Sequence, residues 1–218
     1  MATWLCHLRV AERVLEKFDL PRSEFLAGNI AADCGTPDGS GGFDPPKEVT
    51  HWTHSGKAHC EYLRFAEEML PSAAGEKQRA FLLGYFSHLI ADVVWTQIIN
   101  EPAKARYRDE YDADRTGYYR RAKAEWHAND LLFLEKHPDF APLAELACVS
   151  VNSGILPYYK SDSVNVQIKN IAGAYSGSFG GCEFRYITPA QADGYVEAAS
   201  DKICAELLRL GEKPRSAV

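Results

Sequence analysis

The 218-residue sequence predicts an all-α protein. Apolar residues recur at intervals of three and four over several long segments, which is the periodicity of helices that bury one face. No stretch of useful length alternates apolar and polar residues, as a half-buried strand would. Hydrophobic residues make up 46% of the chain and charged residues 25%, a balance that supports a sizeable core. We therefore expect a single-domain multi-helix bundle over residues 1–218.

Two helices and a long loop are predicted at the start of the chain. Residues 4–18 place apolar side chains on one face and charged side chains on the other, and Pro21 ends this helix. A shorter helix is expected over 22–33. The Gly-, Pro- and Asp-rich sequence that follows predicts a loop over 34–56.

Apolar spacing predicts further helices over residues 57–69, 75–100, 115–136, 141–151 and 188–210. Thr188 followed by Pro189 has the residue types expected at a helix N-cap and first helical position. The Gly- and Ser-containing segment 152–187 is expected to be irregular, with room for a helix near 162–175.

The charge and the cysteine content limit the classes of function that the chain can have. The formal net charge of −6 argues against stable nucleic-acid binding, whose footprint is usually basic. No apolar run reaches the roughly 18 residues of a transmembrane segment, and the first residues lack a secretory pattern. Six cysteines without a C-x-x-C pair predict reduced thiols and a cytoplasmic protein. Cys6 and Cys34 neighbour candidate metal donors, although such cysteines are more often small core residues.

The segment from Gly84 to Trp95 places His88 and Asp92 four residues apart in an apolar stretch. On a helix, this spacing puts both side chains on one face, where both can reach one ion. A helix that is apolar on nearly every side is buried, and a buried aspartate must be paired or bound to a cation. The alternative is a hydrogen-bonded His–Asp pair that needs no metal.

Three other segments supply candidate donors. His7 shares a helix face with apolar residues and therefore points toward the core. Asp33 stands at the C-terminal end of its helix, where the helix dipole disfavours an anion, so a cation partner explains it better than an ordinary turn. The sequence THWTH contributes His51 and His54, of which one or both can bind.

A later predicted helix carries Glu125, His127 and Asp130 as possible additional metal ligands or site-lining residues. An exposed helix surface with the same residue types is the plainer interpretation. Nitrogen and carboxylate donors from four or five segments suit Zn²⁺, with Fe, Mn or Ni as alternatives. Their number also suits two ions that share a bridging water.

Five segments, taken in order, resemble the zinc-dependent phospholipase C family over about residues 3–135. They are WLCHLRVAE, FLAGNIAAD, KEVTHW, FLLGYFSHLIADVVW and EWHANDLLFL. The sequence looks closest to a cytosolic bacterial branch of that family, and more distantly resembles the single-strand-specific zinc nucleases. The resemblance implies an all-helical bundle with a metal site at its centre.

The resemblance also implies roles for individual residues. The principal zinc ligands would be Asp33, His51, His88 and Asp92. Asp92 would bridge to a second ion held by His7, and Asp33 would be the catalytic carboxylate that orients or deprotonates the attacking water. A metal-activated water would attack phosphorus, and an alcohol would leave.

The sequence departs from the family pattern in three places. Secreted members begin with a tryptophan whose amine and carbonyl bind metal, whereas three residues precede Trp4. Gln97 and its neighbours stand where a further histidine is expected. His127 is followed by Asp130 at three residues instead of by Glu at four. We therefore expect one or two ions and not three.

The leading hypothesis is a metal-dependent phosphoester hydrolase, phospholipase C-like, that acts on a small phosphoester or a lipid headgroup. The alternatives are a non-catalytic metal-binding helical protein, with a closed metal site, and a helical interaction protein with a His–Asp core pair. Phe43, Trp52 and Tyr85 are candidate walls of a substrate pocket, although aromatic side chains beside apolar helices are more often core.

Overall fold

A computed structural model describes residues 2–56, 59–160 and 162–215, and α-helices dominate it, as the sequence predicts. In chain order the helices are α1 (Trp4–Lys17), α2 (Arg22–Ala31), α3 (Lys47–Thr50), α4 (Tyr62–Met69), α5 (Glu76–Trp95), α6 (Glu101–Arg106), α7 (Arg108–Ala113), α8 (Arg115–Lys136), α9 (Pro142–Cys148), α10 (Ser163–Gly173) and α11 (Pro189–Arg209). Short 3₁₀ turns occupy Leu70–Ser72 and Ser153–Ile155.

The segment predicted as a loop over 34–56 contains regular structure. Strands β1 (Thr36–Pro37) and β2 (Phe43–Asp44) pair in an antiparallel hairpin with Thr36 opposite Asp44, and α3 follows directly. Such short elements carry no periodicity that a sequence pattern can detect. The next helix, predicted from residue 57, begins at Tyr62; residues 57 and 58 lie outside the described part of the chain.

The helix predicted over 75–100 changes character after Trp95. It continues as a π-helical turn over Thr96–Asn100 and then as α6. Pro102 lies in the first turn of α6, where it has no backbone N–H to donate to the preceding turn. Regular helical bonding is therefore interrupted here. Both α6 and α7 were absent from the sequence prediction.

Helix α5 forms the centre of the core. Every residue from Ala80 to Trp95 is buried, and the helix packs most extensively against α2. The stretch Glu76–Arg106 is long and apolar enough to cross a membrane by length and composition, but 89% of its apolar window is buried within the protein. A core helix passes the same test, so the stretch is weak support for a membrane span.

Helices α2 and α5 approach each other through two glycines. A Cβ on Gly84 would lie 2.1 Å from the carbonyl oxygen of Phe25, and a Cβ on Gly28 would lie 1.9 Å from that of Phe81. Neither backbone leaves room for a methyl group, so glycine at both positions permits this contact. Close packing here sets the relative position of α2 and the donors on α5.

Helix α11 closes the bundle against α1 and α5. Its predicted start is confirmed, because the Thr188 hydroxyl accepts the N–H of Gln191 while the Gln191 side chain accepts the N–H of Thr188. This reciprocal pair satisfies two of the four N–H groups that a helix start leaves without partners.

Candidate metal centre

Five side chains that the sequence singles out converge at the middle of the bundle. We call them the donor cluster: His7 on α1, Asp33 just after α2, His51 at the end of α3, and His88 and Asp92 on α5. Two groups within it, His7–His88–Asp92 and Asp33–His51–His88, each have ligand atoms within 4.8 Å of one another. All five residues are buried.

His88 presents a bare nitrogen to the cluster. Its Nδ1 lies 2.7 Å from the backbone carbonyl oxygen of Asn29, and a carbonyl only accepts, so Nδ1 carries the proton. Burial lowers the pKa of His88 well below its usual value, and the neighbouring His7 lowers it further. The ring is therefore neutral, and its Nε2 lone pair faces inward.

His51 is oriented in the same way by α3. Its Nδ1 lies 3.1 Å from the carbonyl oxygen of Lys47 and 2.9 Å from the Thr50 hydroxyl, and the hydroxyl of Tyr85 donates to the Thr50 carbonyl. The carbonyl of Lys47 favours a proton on Nδ1, which leaves Nε2 to face the cluster. The Nε2 atoms of His51 and His88 are 3.4 Å apart.

Asp92 lies between the two halves of the cluster. Its Oδ1 is 3.5 Å from Nε2 of His7, and its Oδ2 is 3.5 Å from Nε2 of His51 and 3.7 Å from Nε2 of His88. Oδ1 also accepts the backbone N–H of Ala2 at 3.2 Å. Each carboxylate oxygen therefore faces a different set of imidazoles, which is the geometry of a carboxylate that can bridge two ions.

His7 stacks on His88 with ring centroids 3.8 Å apart and planes within 7° of parallel. Within the described residues, neither ring nitrogen of His7 has a hydrogen-bond partner. Buried polar atoms without such a partner are rare in native structures and point to an ion or water at that place. Three imidazoles and two carboxylates are also the donor types that zinc takes, so the residues present fit this metal.

A cavity of about 420 Å³ reaches the donor cluster from the surface, a volume in the usual range of small-molecule sites. Of the five donors, Asp33 lines the cavity. The ammonium of Lys47, which also lines it, is 3.8 Å from Asp33 Oδ1. Trp4, Phe43 and Trp126 supply apolar walls. The cluster is therefore open on the side of Asp33.

His127 and Asp130, the later helical pair, lie on the wall of this cavity. Asp130 is buried and accepts hydrogen bonds from Thr3 Oγ1 at 2.9 Å and from the Tyr175 hydroxyl at 3.1 Å. Burial raises its pKa to about 7, although those hydrogen bonds oppose the shift. His127 is exposed and its ring lies 5.5 Å from that of Tyr175.

His54 and Glu125 lie outside the donor cluster. His54 is exposed in the loop after α3 and faces a separate surface cavity. The Glu125 carboxylate accepts the backbone N–H groups of Arg185 at 2.8 Å and Tyr186 at 2.6 Å, and so holds the segment before α11. Sequence spacing alone does not distinguish these two residues from members of the donor cluster. Their positions relative to the cluster depend on how the loops connect the helices.

The buried thiols beside the cluster stay protonated. Burial raises the pKa of Cys6 to about 12 and that of Cys34 well above the usual thiol value. Neither belongs to a candidate metal group in the described chain. Both are therefore small buried residues of the core.

Several cavity residues were missed from the sequence. They are Thr3, Lys47, Lys123, Trp126 and Tyr175. Lys47 precedes His51 by one helical turn, and this spacing could have indicated that Lys47 lies near the site. Tyr175 follows α10, and the sequence does not specify where that helix packs. Of the three aromatic candidates, Phe43 lines this cavity, while Tyr85 is buried in the core, and Trp52 packs on Phe65.

Comparison with known families agrees with this geometry. The profile of the family described as "zinc dependent phospholipase C" matches residues 6–142, more than half of the chain and a range that contains the whole donor cluster. The comparison with curated proteins gives no match, and neither does the comparison with solved structures.

Proposed function

Because the chain belongs to the zinc-dependent phospholipase C family, we propose that it is a phosphoester hydrolase whose metal centre is the donor cluster. Family membership supports a metal-dependent hydrolase at the level of the family, and hydrolysis at phosphorus is part of our proposal. The assignment of individual residues below is our proposal. It is supported by their placement and hydrogen bonding.

One observation carries the proposal: the Nε2 atoms of His51 and His88 face each other at 3.4 Å. Each ring has its Nδ1 against a backbone carbonyl. Carboxylate oxygens of Asp33 and Asp92 lie 3.3 and 3.5 Å from Nε2 of His51 as well, so four donor groups from separate parts of the chain converge where a divalent ion would be held. A divalent ion also offsets the buried negative charge that remains on Asp33 and Asp92 beyond what the nearby ammonium of Lys47 neutralises.

The two oxygens of Asp92 favour two ions. In this assignment Asp33, His51, His88 and Asp92 would hold the principal ion, and His7, together with Asp92, would hold a second. When bound, zinc supplies Lewis-acid chemistry, activating a water as nucleophile and stabilising charge on phosphoryl oxygens. Fe, Mn and Ni accept the same donor types.

Asp33 is the proposed catalytic carboxylate. It lines the cavity by which a substrate reaches the cluster, and its Oδ1 is 3.3 Å from Nε2 of His51. A carboxylate in this position can orient an attacking water and take its proton. The four other donors do not line the cavity, and their positions are fixed by α1, α3 and α5.

A non-catalytic metal site is the second candidate, favoured by the full burial of His7, His51, His88 and Asp92. A structural site is closed on all sides, whereas a catalytic one keeps a position open to substrate. The access of Asp33 to the cavity favours catalysis.

The test is metal content by elemental mass spectrometry together with hydrolysis of bis(p-nitrophenyl) phosphate. Untagged wild type should contain one or two zinc ions per chain and release p-nitrophenol. His88→Ala should lose both, whereas His54→Ala, which removes an exposed histidine outside the cluster, should keep both. Zinc without hydrolysis of any phosphoester would favour the non-catalytic site, and absence of metal from the wild type would refute the centre itself.

A further inference from the structure

The cavity that leads to the donor cluster carries positive charge from two different elements. Lys47 begins α3, and Lys123 lies on α8. The Lys47 side chain is only 31% exposed, and its ammonium is held 4.5 Å from the centre of the Phe43 ring and 3.8 Å from Asp33 Oδ1. It therefore stands at the inner end of the cavity, next to the one donor that substrate can reach.

Lys123 lines the same cavity from α8. It is exposed, and across the described ranges it forms no ion pair, so its charge is available to a ligand. Lys123 and Trp126 also line an adjoining cavity of about 760 Å³, to which Arg115 and Lys104 contribute further cationic groups. Lys104 is paired with Glu101 at 2.8 Å, whereas neither Lys123 nor Arg115 has an ion-pair partner among the residues that the structure describes.

The anions of the main cavity are already engaged. Asp33 belongs to the donor cluster, whose charge a metal offsets, and Asp130 accepts hydrogen bonds from Thr3 and Tyr175. A quaternary ammonium headgroup needs free aromatic faces or carboxylates. Here the Phe43 face is occupied by Lys47, and the Trp4 and Trp126 rings line a cavity whose wall also carries Lys47 and Lys123. The lysines repel such a headgroup and attract an anion.

We propose that Lys47 binds the phosphoryl oxygens of the substrate and that Lys123 binds a second anionic group on the same molecule. The preferred substrates are therefore phosphodiesters with a carboxylate or phosphate on the non-leaving side. Esters of cationic alcohols are disfavoured. This inference rests on the proposed function, because the phosphoester is bound at the donor cluster.

The test compares two p-nitrophenyl phosphodiesters of similar size. One is p-nitrophenyl phosphorylcholine, and the other carries 3-hydroxypropanoate, with a carboxylate in place of the ammonium. The zinc-loaded wild type should show a kcat/KM about tenfold higher for the carboxylate ester. Lys123→Gln should reduce this preference by about fivefold. Lys47→Gln should lower kcat/KM for both esters by about tenfold to a hundredfold, because both contain the same phosphate.

Lys169→Gln, which removes an exposed lysine on α10, is the matched control and should change neither value. Lys47→Arg keeps the charge and should retain most of the activity, which separates charge loss from a folding defect. Equal or better hydrolysis of the choline ester by the wild type would overturn the proposal. An unchanged preference in Lys123→Gln would do the same.

A second measurement distinguishes this proposal from the function on which it rests. Calorimetric titration of the zinc-loaded protein with inorganic phosphate should show binding that Lys47→Gln weakens by about tenfold while zinc content stays the same. If no ester is hydrolysed but this weakening occurs, the hydrolase assignment fails and the anion site stands. The anion site is refuted if phosphate binds the wild type and Lys47→Gln equally well. It is also refuted if phosphate binds neither protein.

Discussion

Replacing Gly84 by alanine should separate helices α2 and α5 and weaken metal binding. The new Cβ would lie 2.1 Å from the Phe25 carbonyl oxygen and 2.8 Å from the Asn29 nitrogen, and both are backbone atoms. Reaching even 3.0 Å from 2.1 Å needs a movement of about 0.9 Å, since real Cβ contacts essentially never fall below 3.0 Å. The His88–Asn29 hydrogen bond, 2.7 Å long, would lengthen to about 3.6 Å and be lost.

The expected change in unfolding free energy follows from three effects. Overpacking costs about 1–3 kcal/mol and the lost hydrogen bond about 1 kcal/mol, while the better helix propensity of alanine returns about 1 kcal/mol. Gly84→Ala should thus be about 1–3 kcal/mol less stable than wild type in urea unfolding followed by circular dichroism, with chelator present. Its zinc affinity, measured against a competing chelator, should also fall because His88 loses its orienting partner.

Gly194→Ala is the matched control. Gly194 lies within α11, is exposed, and has no atom within 4 Å of an added Cβ. That variant should be about 0.5–1 kcal/mol more stable than wild type and bind zinc unchanged. If Gly84→Ala is stabilised to the same extent, the tight α2–α5 contact does not control the site and the reasoning is wrong.

Three further predictions concern metal, pH and helix capping. Zinc at a hundred times its dissociation constant should raise the unfolding free energy of the wild type by about 2.7 kcal/mol, and His88→Ala should lose this gain in the same urea titration. Burial raises the pKa of Asp130 from 3.8 to about 7 in the folded protein. Its contribution to the unfolding free energy is therefore fully present below pH 3.8 and is lost as the pH rises through 7. Asp130→Asn should therefore gain up to about 4 kcal/mol relative to wild type between pH 4 and pH 8, and a flat difference across this range would contradict the buried carboxyl. Thr188→Ala should lose about 1 kcal/mol through its missing cap, with an unchanged zinc content as the check that the effect is local.

The sequence predicted the long helices well and the short elements poorly. Helix α8 runs over Arg115–Lys136, as its apolar spacing and flanking residues indicated, and α11 begins at the predicted Thr–Pro pair. Helices α6 and α7 have no fully buried residues, so their sequences show no apolar face from which a helix could be predicted. The hairpin and α3 were missed because their few residues are held by loop contacts, such as the Asp38 carboxylate that accepts the N–H of Ser40.

For the site, helical spacing identified the part that local geometry determines. His88 and Asp92 share one face of α5 whatever the rest of the chain does. The choice between His51 and His54 could not be made locally, because it depends on where α3 docks; the hydroxyl of Tyr85, which donates to the Thr50 carbonyl, holds that end of α3. Lys123 looked like any exposed helical lysine, since only tertiary structure places it beside the cavity.

The donor cluster and the cavity that leads to it draw on different lengths of the chain. All five members of the donor cluster lie between residues 7 and 92. The cavity is lined in part by that same stretch, through Trp4, Phe43 and Lys47, and in part by later residues, namely Lys123, Trp126 and Asp130 on α8 and Tyr175 beyond it. Tyr175 even falls outside the span matched by the family profile. Substitutions in that later stretch can therefore change what the cavity accepts without altering any of the five donors.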